Sequence, residues 1–439
     1  MTVNDHREPA DQREPTDCRD VDPQAWPDVA HPPAARLRGL AARSLFSAAV
    51  RRLPICVEYP DGTRLGQRSG RVVPRMIVRR PQALFARVGS AGLIGFGEAF
   101  MAGDWTTDEL VGVLTPFAER VAELVPAPLQ RLRPLVLPRH PADEQNTVAN
   151  TRSNIARHYD LSNELFATFL DETLSYSSAY FGSDAAADTA DWPQLADAQR
   201  AKIDRLLDQA GVGPGTRLLE IGTGWGELCL RAARRGAQVR SLTLSSEQRE
   251  LALQRIADAG LADQVRVDLL DYRLVDGEYD AVVSVEMLEA VGREFWPTYF
   301  QTVERVLAPG GRAAIQVITM PHARMLASAG TYTWVHKYIF PGGQLPSIEA
   351  LRQVTAEHTS LRMVDELSMG RHYARTLRLW RERFAHRSAA VTQLGFDTVF
   401  QRMWTFYLAY SEAGFRSGYL DVVQLRLDKP PAPGRRGPS

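Results

Sequence analysis

Residues 218–228 read LLEIGTGWGEL and are the most informative segment of this chain. An apolar strand pattern runs into three glycines at alternate positions, Gly222, Gly224 and Gly226, and a helical pattern follows them. Glycine lets the backbone adopt dihedral angles that other residues avoid, and the start of a helix offers free N–H groups. The pattern therefore predicts a loop that holds a nucleotide-type cofactor.

The residues that follow favour S-adenosylmethionine (SAM) over a dinucleotide. An NAD-type site has the pattern G-x-G-x-x-G and an acidic residue about 20 positions later that binds the ribose. Here the spacing is G-x-G-x-G, and the second predicted strand leads into residues 245–248 (SSEQ) without an acid at its tip. A lone glycine loop can also be an ordinary tight turn, so the prediction depends on Glu220 and the strand–loop–helix context.

Composition and charge limit the classes of protein that this chain can belong to. Its 439 residues predict two domains, and 44% hydrophobic residues can fill a large core. The formal net charge is zero, so binding to lipid or nucleic acid would need local patches. Cys18, Cys56 and Cys229 lack the spacing of a disulfide framework or a zinc site, so we expect no metal and a cytoplasmic location. Residues 1–33 lack a signal-peptide pattern.

The patterns along the chain predict five segments. Residues 1–35 are charged and rich in proline, and we expect them to be disordered. Residues 36–135 predict a small α+β domain, and residues 136–149 a proline-rich linker. Strands and helices alternate over residues 150–428, which predicts an α/β domain with a mostly parallel, Rossmann-like sheet. Residues 429–439 predict a loose tail.

Within the large domain, strand patterns alternate with a long insertion. The predicted strands are 216–221, 238–244, 265–269, 279–285 and 311–318, with a closing strand at 419–427. Residues 320–370 interrupt this pattern with aromatic side chains. We expect this insertion, with the helices of residues 150–185, to form a lid over the cofactor cleft.

The first helix of the small domain, residues 36–53, allows two interpretations. Leu37, Leu40 and Leu45 recur at helical spacing among arginines. Such a basic amphipathic helix could contact anionic lipid, with further arginines holding phosphate groups; those arginines are Arg71, Arg75, Arg79 and Arg80. The alternative is a helix packed on its own domain with a solvated arginine face, and the pattern leaves both interpretations open.

Seven blocks of sequence carry a resemblance to a known family. They occupy residues 95–105, 154–163, 174–181, 220–227, 243–248, 284–292 and 338–343. In this order they resemble the cyclopropane-fatty-acyl-phospholipid synthase family. The resemblance implies a SAM-dependent C-methyltransferase that modifies the double bond of an unsaturated acyl chain in a phospholipid. It also implies a peripheral position on the inner face of the membrane.

The chemistry of that reaction sets what the site must provide. An isolated alkene is a poor nucleophile, so the sulfonium must be held in line with it and away from water. Methyl transfer leaves a carbocation that aromatic faces can stabilise, and a base must then remove one proton. The resemblance implies that a bound bicarbonate ion is this base.

Carried over position by position, the resemblance implies eleven residues that contact SAM. They are Tyr176, Ser177, Gly222, Thr223, Gly224, Thr243, Leu244, Ser245, Gln248, Asp271 and Tyr272. The hydroxyl and amide groups within residues 243–248 can bind the ribose and amino-acid parts without an acid at the strand tip. The alternative for Tyr176 and Tyr272 is ordinary core packing.

The resemblance further implies that Glu289 and Tyr373 hold the bicarbonate, and that the backbone of Ile318 contributes to the same anion site. Taken alone, Glu289 could equally be a solvated helix residue. Ser178 and Gln316 would line the same anion site, but the family usually has Cys and often His at these two positions. These departures leave the position and basicity of the anion open.

The product is also left open by the sequence. Loss of a proton from the transferred methyl group closes a cyclopropane ring, whereas a prior hydride shift gives a methylene branch. Residues 284–290 and 412–422 resemble the actinobacterial branch of the family, which makes 10-methylene stearoyl lipids from oleoyl lipids. We therefore expect the methylene product and a separate reductase as a downstream partner. Assembly into a homo-oligomer is left open.

Three other functions agree less well with the sequence. A nucleic-acid methyltransferase would need a polar-Pro-Pro-aromatic turn after the fourth strand and a basic surface, whereas residues 284–287 read SVEM and the net charge is zero. A small-molecule O- or N-methyltransferase would favour a short polar pocket, but residues 320–415 are aromatic and apolar. A lipid-binding protein without turnover is the third alternative.

Overall fold

The computed structural model describes residues 21–66, 73–120 and 162–432. The predicted linker at 136–149 lies outside the described residues, as do residues 1–20 and 433–439 at the two ends. In the part of the chain that is described, no helix combines the length and the apolar content needed to cross a bilayer.

The small N-terminal part combines one four-stranded sheet with helices. Its strands are β1 (Cys56–Glu58), β2 (Arg64–Gly66), β3 (Arg75–Val78) and β4 (Trp105–Thr106), in the order β2-β1-β3-β4. Its helices are Pro27–Ala30, Arg36–Val50, Pro81–Ala91, Leu93–Met101 and Leu110–Arg120. The α+β composition agrees with the prediction from sequence.

The large part is built on a seven-stranded sheet. Its strands are β5 (Arg217–Ile221), β6 (Gln238–Thr243), β7 (Val265–Leu269), β8 (Tyr279–Val285), β9 (Leu307–Thr319), β10 (Arg362–Ser368) and β11 (Asp421–Asp428). The order is β10-β11-β9-β8-β5-β6-β7, in which β7, β6, β5, β8 and β9 pair in parallel and β11 and β10 pair antiparallel. The α/β prediction with a mostly parallel sheet is confirmed.

Helices pack on both faces of this sheet, and others lie in the predicted lid, residues 320–370. Those from Asn163 to Val306 are Asn163–Phe169, Asp184–Thr189, Trp192–Ala210, Glu227–Arg234, Ser246–Asp258 and Trp296–Val306. Those that follow β9 are His322–Ser328, Trp334–Tyr338, Ile348–His358, Gly370–His386, Ser388–Gln393 and Thr398–Arg416. Short 3-10 turns occur at Tyr272–Leu274, Leu288–Ala290 and Arg293–Phe295.

The predicted insertion at residues 320–370 contains a strand that the sequence analysis did not predict. Residues 362–368 form β10, the edge strand that pairs with β11. Its side chains alternate between exposed and half-buried, and none of them is fully buried. A strand with so little apolar burial gives a weak period-2 signal, so only its pairing with β11 identifies it.

Residues 21–35 are mostly exposed, but a few of them are anchored to distant parts of the chain, in contrast to the predicted disorder. Val29 is buried in the main core, and the guanidinium of buried Arg87 donates to the carbonyl oxygens of Asp28 and Val29 at 2.6 Å each. The indole N–H of Trp26 donates to Asp397 at 2.7 Å. These partners lie far away in the sequence, and they supply the stabilisation that the local composition lacks.

The small and large parts pack against each other through the helix Leu93–Met101. Phe100 meets Phe406 with ring centroids 5.5 Å apart, and a Cβ at Gly97 would lie 2.5 Å from the ring of Trp334 in the lid. Buried Glu98 accepts hydrogen bonds from Lys337 at 2.5 Å and from Tyr338 at 2.9 Å. Apolar residues of both parts belong to one continuous core.

Candidate active site

The glycine loop follows β5 at the carboxyl edge of the parallel strands. Gly222, Gly224 and Gly226 all have positive φ, at 101°, 52° and 89°, a region that favours glycine. At Gly224 an added Cβ would meet no atom within 4 Å, so the loop faces open space there. The helix Glu227–Arg234 begins directly after it and directs its free N–H groups toward the same edge.

A cavity opens at this edge, where the ends of β5, β6 and β8 meet. Nine of the predicted cofactor residues line it: Tyr176, Ser177, Gly222, Thr223, Gly224, Thr243, Leu244, Gln248 and Tyr272. The hydroxyl of Tyr272 is buried and has no hydrogen-bond partner among the described residues. An orphaned donor beside an open glycine loop fits a polar ligand such as SAM.

The other two predicted cofactor residues hold local structure beside the cavity. The Ser245 hydroxyl accepts from the backbone N–H of Gln248 at 3.2 Å and caps the helix Ser246–Asp258. Asp271 caps the turn Tyr272–Leu274 and pairs with Arg273 at 2.5 Å. Neither residue is among those that line the cavity.

Two buried charged groups in the cavity wall were not predicted as site residues. Glu220 accepts from Ser241 at 2.6 Å and from the Cys229 thiol at 2.7 Å, and burial raises its pKa to about 7. Lys202 donates to the hydroxyl of Ser177 at 2.6 Å, and burial lowers its pKa to about 8. Lys202 belongs to the helix Trp192–Ala210, outside every motif that the sequence analysis used.

The carboxylate of Glu286 lies at the centre of a hydrogen-bonded cluster in the same cavity. One oxygen accepts from the backbone N–H of Ser178 at 2.9 Å and from the side-chain amide of Gln316 at 2.8 Å. The other oxygen accepts from the hydroxyl of Tyr373 at 2.9 Å. Burial raises the pKa of Glu286, and these donors together with the charge of Lys202 oppose that increase.

The backbone of Glu286 is itself unusual. It directly follows β8 and has a φ of 49°, the left-handed region that few residues other than glycine adopt. Its N–H donates to the carbonyl oxygen of Gln316 at 2.8 Å, so strand pairing with β9 extends one residue beyond β8. Such strain costs on the order of 1 kcal/mol and persists where the surrounding structure holds it.

Glu289 occupies a different environment three residues later. It lies in the turn Leu288–Ala290, and one of its oxygens accepts from the backbone N–H of Ile318. Its other oxygen is buried and has no hydrogen-bond partner in the described part of the chain. Burial, followed by the nearby charge of Glu286, raises the pKa of Glu289 to about 8.

The five predicted catalytic residues therefore fall into two adjacent groups. Ser178, Gln316 and Tyr373 converge on Glu286, which the sequence analysis quoted only as part of a family block. Ile318 contacts Glu289. Ser178 contributes its backbone N–H, whereas its hydroxyl donates to the carbonyl oxygen of Ala179 at 3.0 Å. A carboxylate immediately after a buried strand was the available signal for Glu286.

A neighbouring side chain fixes the orientation of Gln316. The amide nitrogen of Gln424, on β11, donates to the amide oxygen of Gln316 at 3.0 Å. The oxygen of Gln424 in turn accepts from Arg205 at 3.0 Å. Because the Gln316 oxygen faces Gln424, its NH2 group faces Glu286.

Aromatic rings surround this cluster. The ring of Tyr373 packs on Phe415 with centroids 4.5 Å apart, and that of Tyr176 lies 5.4 Å from Trp380. The hydroxyl of Tyr176 donates to that of Tyr407 at 2.9 Å. Such a wall can stabilise a cation in an otherwise apolar space.

The parallel sheet, the glycine loop and the cavity at its carboxyl edge define a SAM-dependent methyltransferase. Comparison with known proteins narrows this class. The family model described as mycolic acid cyclopropane synthetase matches residues 146–425, and the chain belongs to that family. Its identification as a SAM-dependent C-methyltransferase is confirmed.

Relatives of this chain include proteins of matching length. It is 55% identical over 410 residues to the tuberculostearic acid methyltransferase UfaA1 of Mycobacterium tuberculosis (strain ATCC 25618 / H37Rv), covering 93% of this chain and 96% of the relative. It is 32% identical over 359 residues to the cyclopropane-fatty-acyl-phospholipid synthase of Escherichia coli K12, covering 79% of this chain and 86% of the relative.

Two solved structures of cyclopropane synthases resemble the fold, the first of them from Mycobacterium tuberculosis. They are the cyclopropane synthase MmaA2 and the mycolic acid cyclopropane synthase CmaA1 complexed with SAH and CTAB. Each has a TM-score of 0.57 and 32% sequence identity, and each match covers 63% of this chain and 98% of the other.

Proposed function

We propose that this protein transfers a methyl group from SAM to the double bond of an oleoyl chain in a membrane phospholipid and yields a 10-methylene acyl product. The observation that carries this proposal is that the glycine loop and the half-buried Glu286 line one and the same cavity. The names of the two relatives support the substrate, since one is a tuberculostearic acid methyltransferase and the other acts on fatty acyl phospholipids.

The residues of this chain have separate tasks in the proposed reaction. When bound, SAM supplies an electrophilic methyl group. The open loop at Gly224 admits it, and the alkene must be held beside it and away from water. The π electrons of the alkene form the new C–C bond and leave a carbocation on the acyl chain. The aromatic rings around Tyr176 and Tyr373 stabilise that cation, and one proton must then be removed.

The bicarbonate ion implied by the family resemblance does not fit the donors as they are arranged. Ser178, Gln316 and Tyr373 already donate to Glu286. A further anion at this place would meet the charge of Glu286 beside the carboxyl group of Glu289. The proposed reaction therefore contains no bicarbonate step.

The 10-methylene product is favoured over a cyclopropane ring by the identity of 55% with the tuberculostearic acid methyltransferase. The alternative product is supported by the cyclopropane synthases among the relatives. A 10-methylene chain becomes a methyl branch only by reduction, so the proposal implies a reductase that consumes the product.

The helix Arg36–Val50 supports peripheral contact with a membrane. Its buried face consists of Gly39, Ala42, Phe46, Ala49 and Val50. On the other side Leu37 and Leu40 are 83% and 63% exposed, close to arginines along the same helix. Exposed leucines beside arginines suit the boundary between acyl chains and anionic headgroups.

The predicted headgroup arginines outside this helix differ in their surroundings. Arg80 pairs with buried Asp104 at 2.8 Å, and Arg75 lies 3.8 Å from Glu58. Arg79 is exposed, and Arg71 lies outside the described residues. The proposed membrane contact therefore depends mainly on the helix Arg36–Val50.

The function is tested by incubating the full chain with SAM and dioleoyl phospholipid vesicles and analysing the acyl chains by mass spectrometry. We expect a gain of one CH2 unit, and NMR should detect the protons of an exocyclic methylene group. Cyclopropane protons would support the alternative product. An unchanged acyl chain, with SAM bound to the protein, would contradict the proposed function and favour a lipid-binding protein.

A further inference from the structure

We infer that the carboxylate of Glu286 is the proton acceptor of this enzyme and takes the place of an external anion. This inference rests on the proposed function, because it assigns the base for that reaction. It goes beyond the family resemblance, which implies bicarbonate held by Glu289 and Tyr373.

Hydrogen-bond donors from three separate elements converge on this carboxylate. The backbone N–H of Ser178 comes from the loop before the helix Asp184–Thr189, the Gln316 amide from β9 and the Tyr373 hydroxyl from the helix Gly370–His386. Three donors at 2.8–2.9 Å from separate elements form a site for one carboxylate or one small anion. The side chain of Glu286 fills that site.

Glu286 is also placed at the predicted cofactor cavity. Glu286 lines the same cavity as Gly222, Gly224 and Tyr176, and this is the cavity that the methyl donor would enter. Its backbone is held at a φ of 49°, which places the side chain there against its own conformational preference. Strain of this kind is typical of residues whose exact placement serves function.

Titratable groups near Glu286 affect which of the two carboxyl groups carries a proton. The groups that face it are the carboxyl of Glu289, the ammonium of Lys202 and the hydroxyl of Tyr373. Two close carboxyl groups do not both ionise easily. Glu286 has three donors and Glu289 has one, so the proton of the pair resides on Glu289 and Glu286 stays ionised and able to accept another.

The step balances without any further reactant. After methyl transfer the C–S bond electrons remain on sulfur as a neutral thioether, and a hydride shift moves the cation to the methylated carbon. A C–H bond of the new methyl group then breaks, its electrons form the exocyclic double bond, and the proton moves to an oxygen of Glu286. The resulting carboxylic acid returns the proton to water once the product leaves.

The first test is the bicarbonate dependence of the unaltered enzyme. Methylation of dioleoyl phospholipid vesicles is measured in carbon-dioxide-free buffer and again after addition of bicarbonate. We expect equal rates, because the base belongs to the chain. A rate that collapses without bicarbonate and recovers with it would overturn the inference while leaving the proposed function intact, whereas absence of acyl product under both conditions would contradict the proposed function itself.

The second test compares Glu286→Gln with Glu286→Gly. The amide of Glu286→Gln cannot accept a proton, so turnover should fall by about 100-fold or more while SAH affinity, measured by calorimetry, is retained. Glu286→Gly suits the positive φ, so it should fold, and it frees the three donors for an added anion. Its lost activity should be partly restored by bicarbonate.

The matched control is Glu294→Gln, which changes an exposed carboxylate outside the cavity and should leave turnover unchanged. If Glu286→Gln retains the turnover of the unaltered enzyme, Glu286 is not the base.

Discussion

Glu286 and Glu289 lie three residues apart, yet the structure gives their carboxyl groups different environments. Three hydrogen-bond donors stabilise the charge of Glu286, whereas a single backbone N–H contacts Glu289. Burial opposes ionisation of both groups, so the number of donors decides which one keeps the proton. At the level of single residues, the hydrogen-bond donors around each glutamate therefore determine which one is ionised and which one keeps a proton.

The raised pKa of Glu289 predicts a pH dependence of stability. This pKa is about 8 in the folded chain against a usual 4.5, so the folded state keeps a proton that the unfolded state loses. The stabilising contribution is complete below pH 4.5 and is lost as the pH rises toward 8. Glu289→Gln should remove this part of the slope, which is at most about 1.4 kcal/mol per pH unit.

The measurement is urea unfolding of both proteins at several pH values between 4.5 and 8. The exposed-carboxylate variant Glu294→Gln serves as the control and should follow the unaltered protein. If Glu289→Gln also runs parallel to the unaltered protein over this range, Glu289 is ionised in the folded state.

At the scale of single elements, the helix Arg36–Val50 has apolar residues on two sides. One side packs into the core through Phe46 and Val50, while Leu37 and Leu40 are exposed. Hydrophobic periodicity alone does not distinguish these sides, because both recur at helical spacing. Which of them meets the protein is decided by the neighbouring helix Pro81–Ala91, against which this helix packs.

The exposed side predicts that the double variant Leu37→Asp/Leu40→Asp binds anionic vesicles more weakly. Loss of two leucines from the lipid contact should lower affinity about tenfold or more, with little change in melting temperature because both side chains are exposed. Vesicle cosedimentation measures the binding, which should also weaken with added salt.

The control for this experiment is Val364→Asp on the edge strand β10, a residue that is 49% exposed in the large part. It should bind vesicles like the unaltered protein. Equal binding by the double variant, or binding that does not respond to salt, would contradict the proposed membrane contact.

At the scale of the whole molecule, the small and large parts are joined by one apolar core and by a buried ionic contact. Glu98 is 5% exposed and accepts from Lys337 and Tyr338 of the lid. Lys337 also pairs with Asp28 at 2.9 Å. Because both the apolar core and the ionic contact include residues of the two parts, we expect the small and large parts to unfold together.

Lys337→Met should destabilise the molecule, because it leaves the charge of Glu98 buried without a cation. The expected loss is about 2 kcal/mol or more, observed by calorimetry as a lower melting temperature in a single transition. Arg352→Met is the control, since Arg352 is 61% exposed and its pair with Glu366 should contribute less than about 1 kcal/mol. Equal melting temperatures for the two variants would show that the contact does not join the parts.

Features that depend on neighbouring residues could be predicted from the amino-acid pattern. Strand periodicity predicted the five parallel strands to within a few residues, and the positive-φ glycines of the loop were readable from their spacing. The cofactor class followed from the loop and its context, and the family followed from ordered blocks of sequence.

Contacts between distant residues became known only from the folded chain. Val29 is buried because Arg87 binds the backbone beside it, and β10 is a strand because β11 pairs with it. Likewise the donors around Glu286 come from positions as far apart as Ser178 and Tyr373. Local patterns fix what a segment can form, but hydrogen bonds between distant segments exist only once the chain has folded. The different hydrogen-bond environments of Glu286 and Glu289 could therefore be recognised only from the structure.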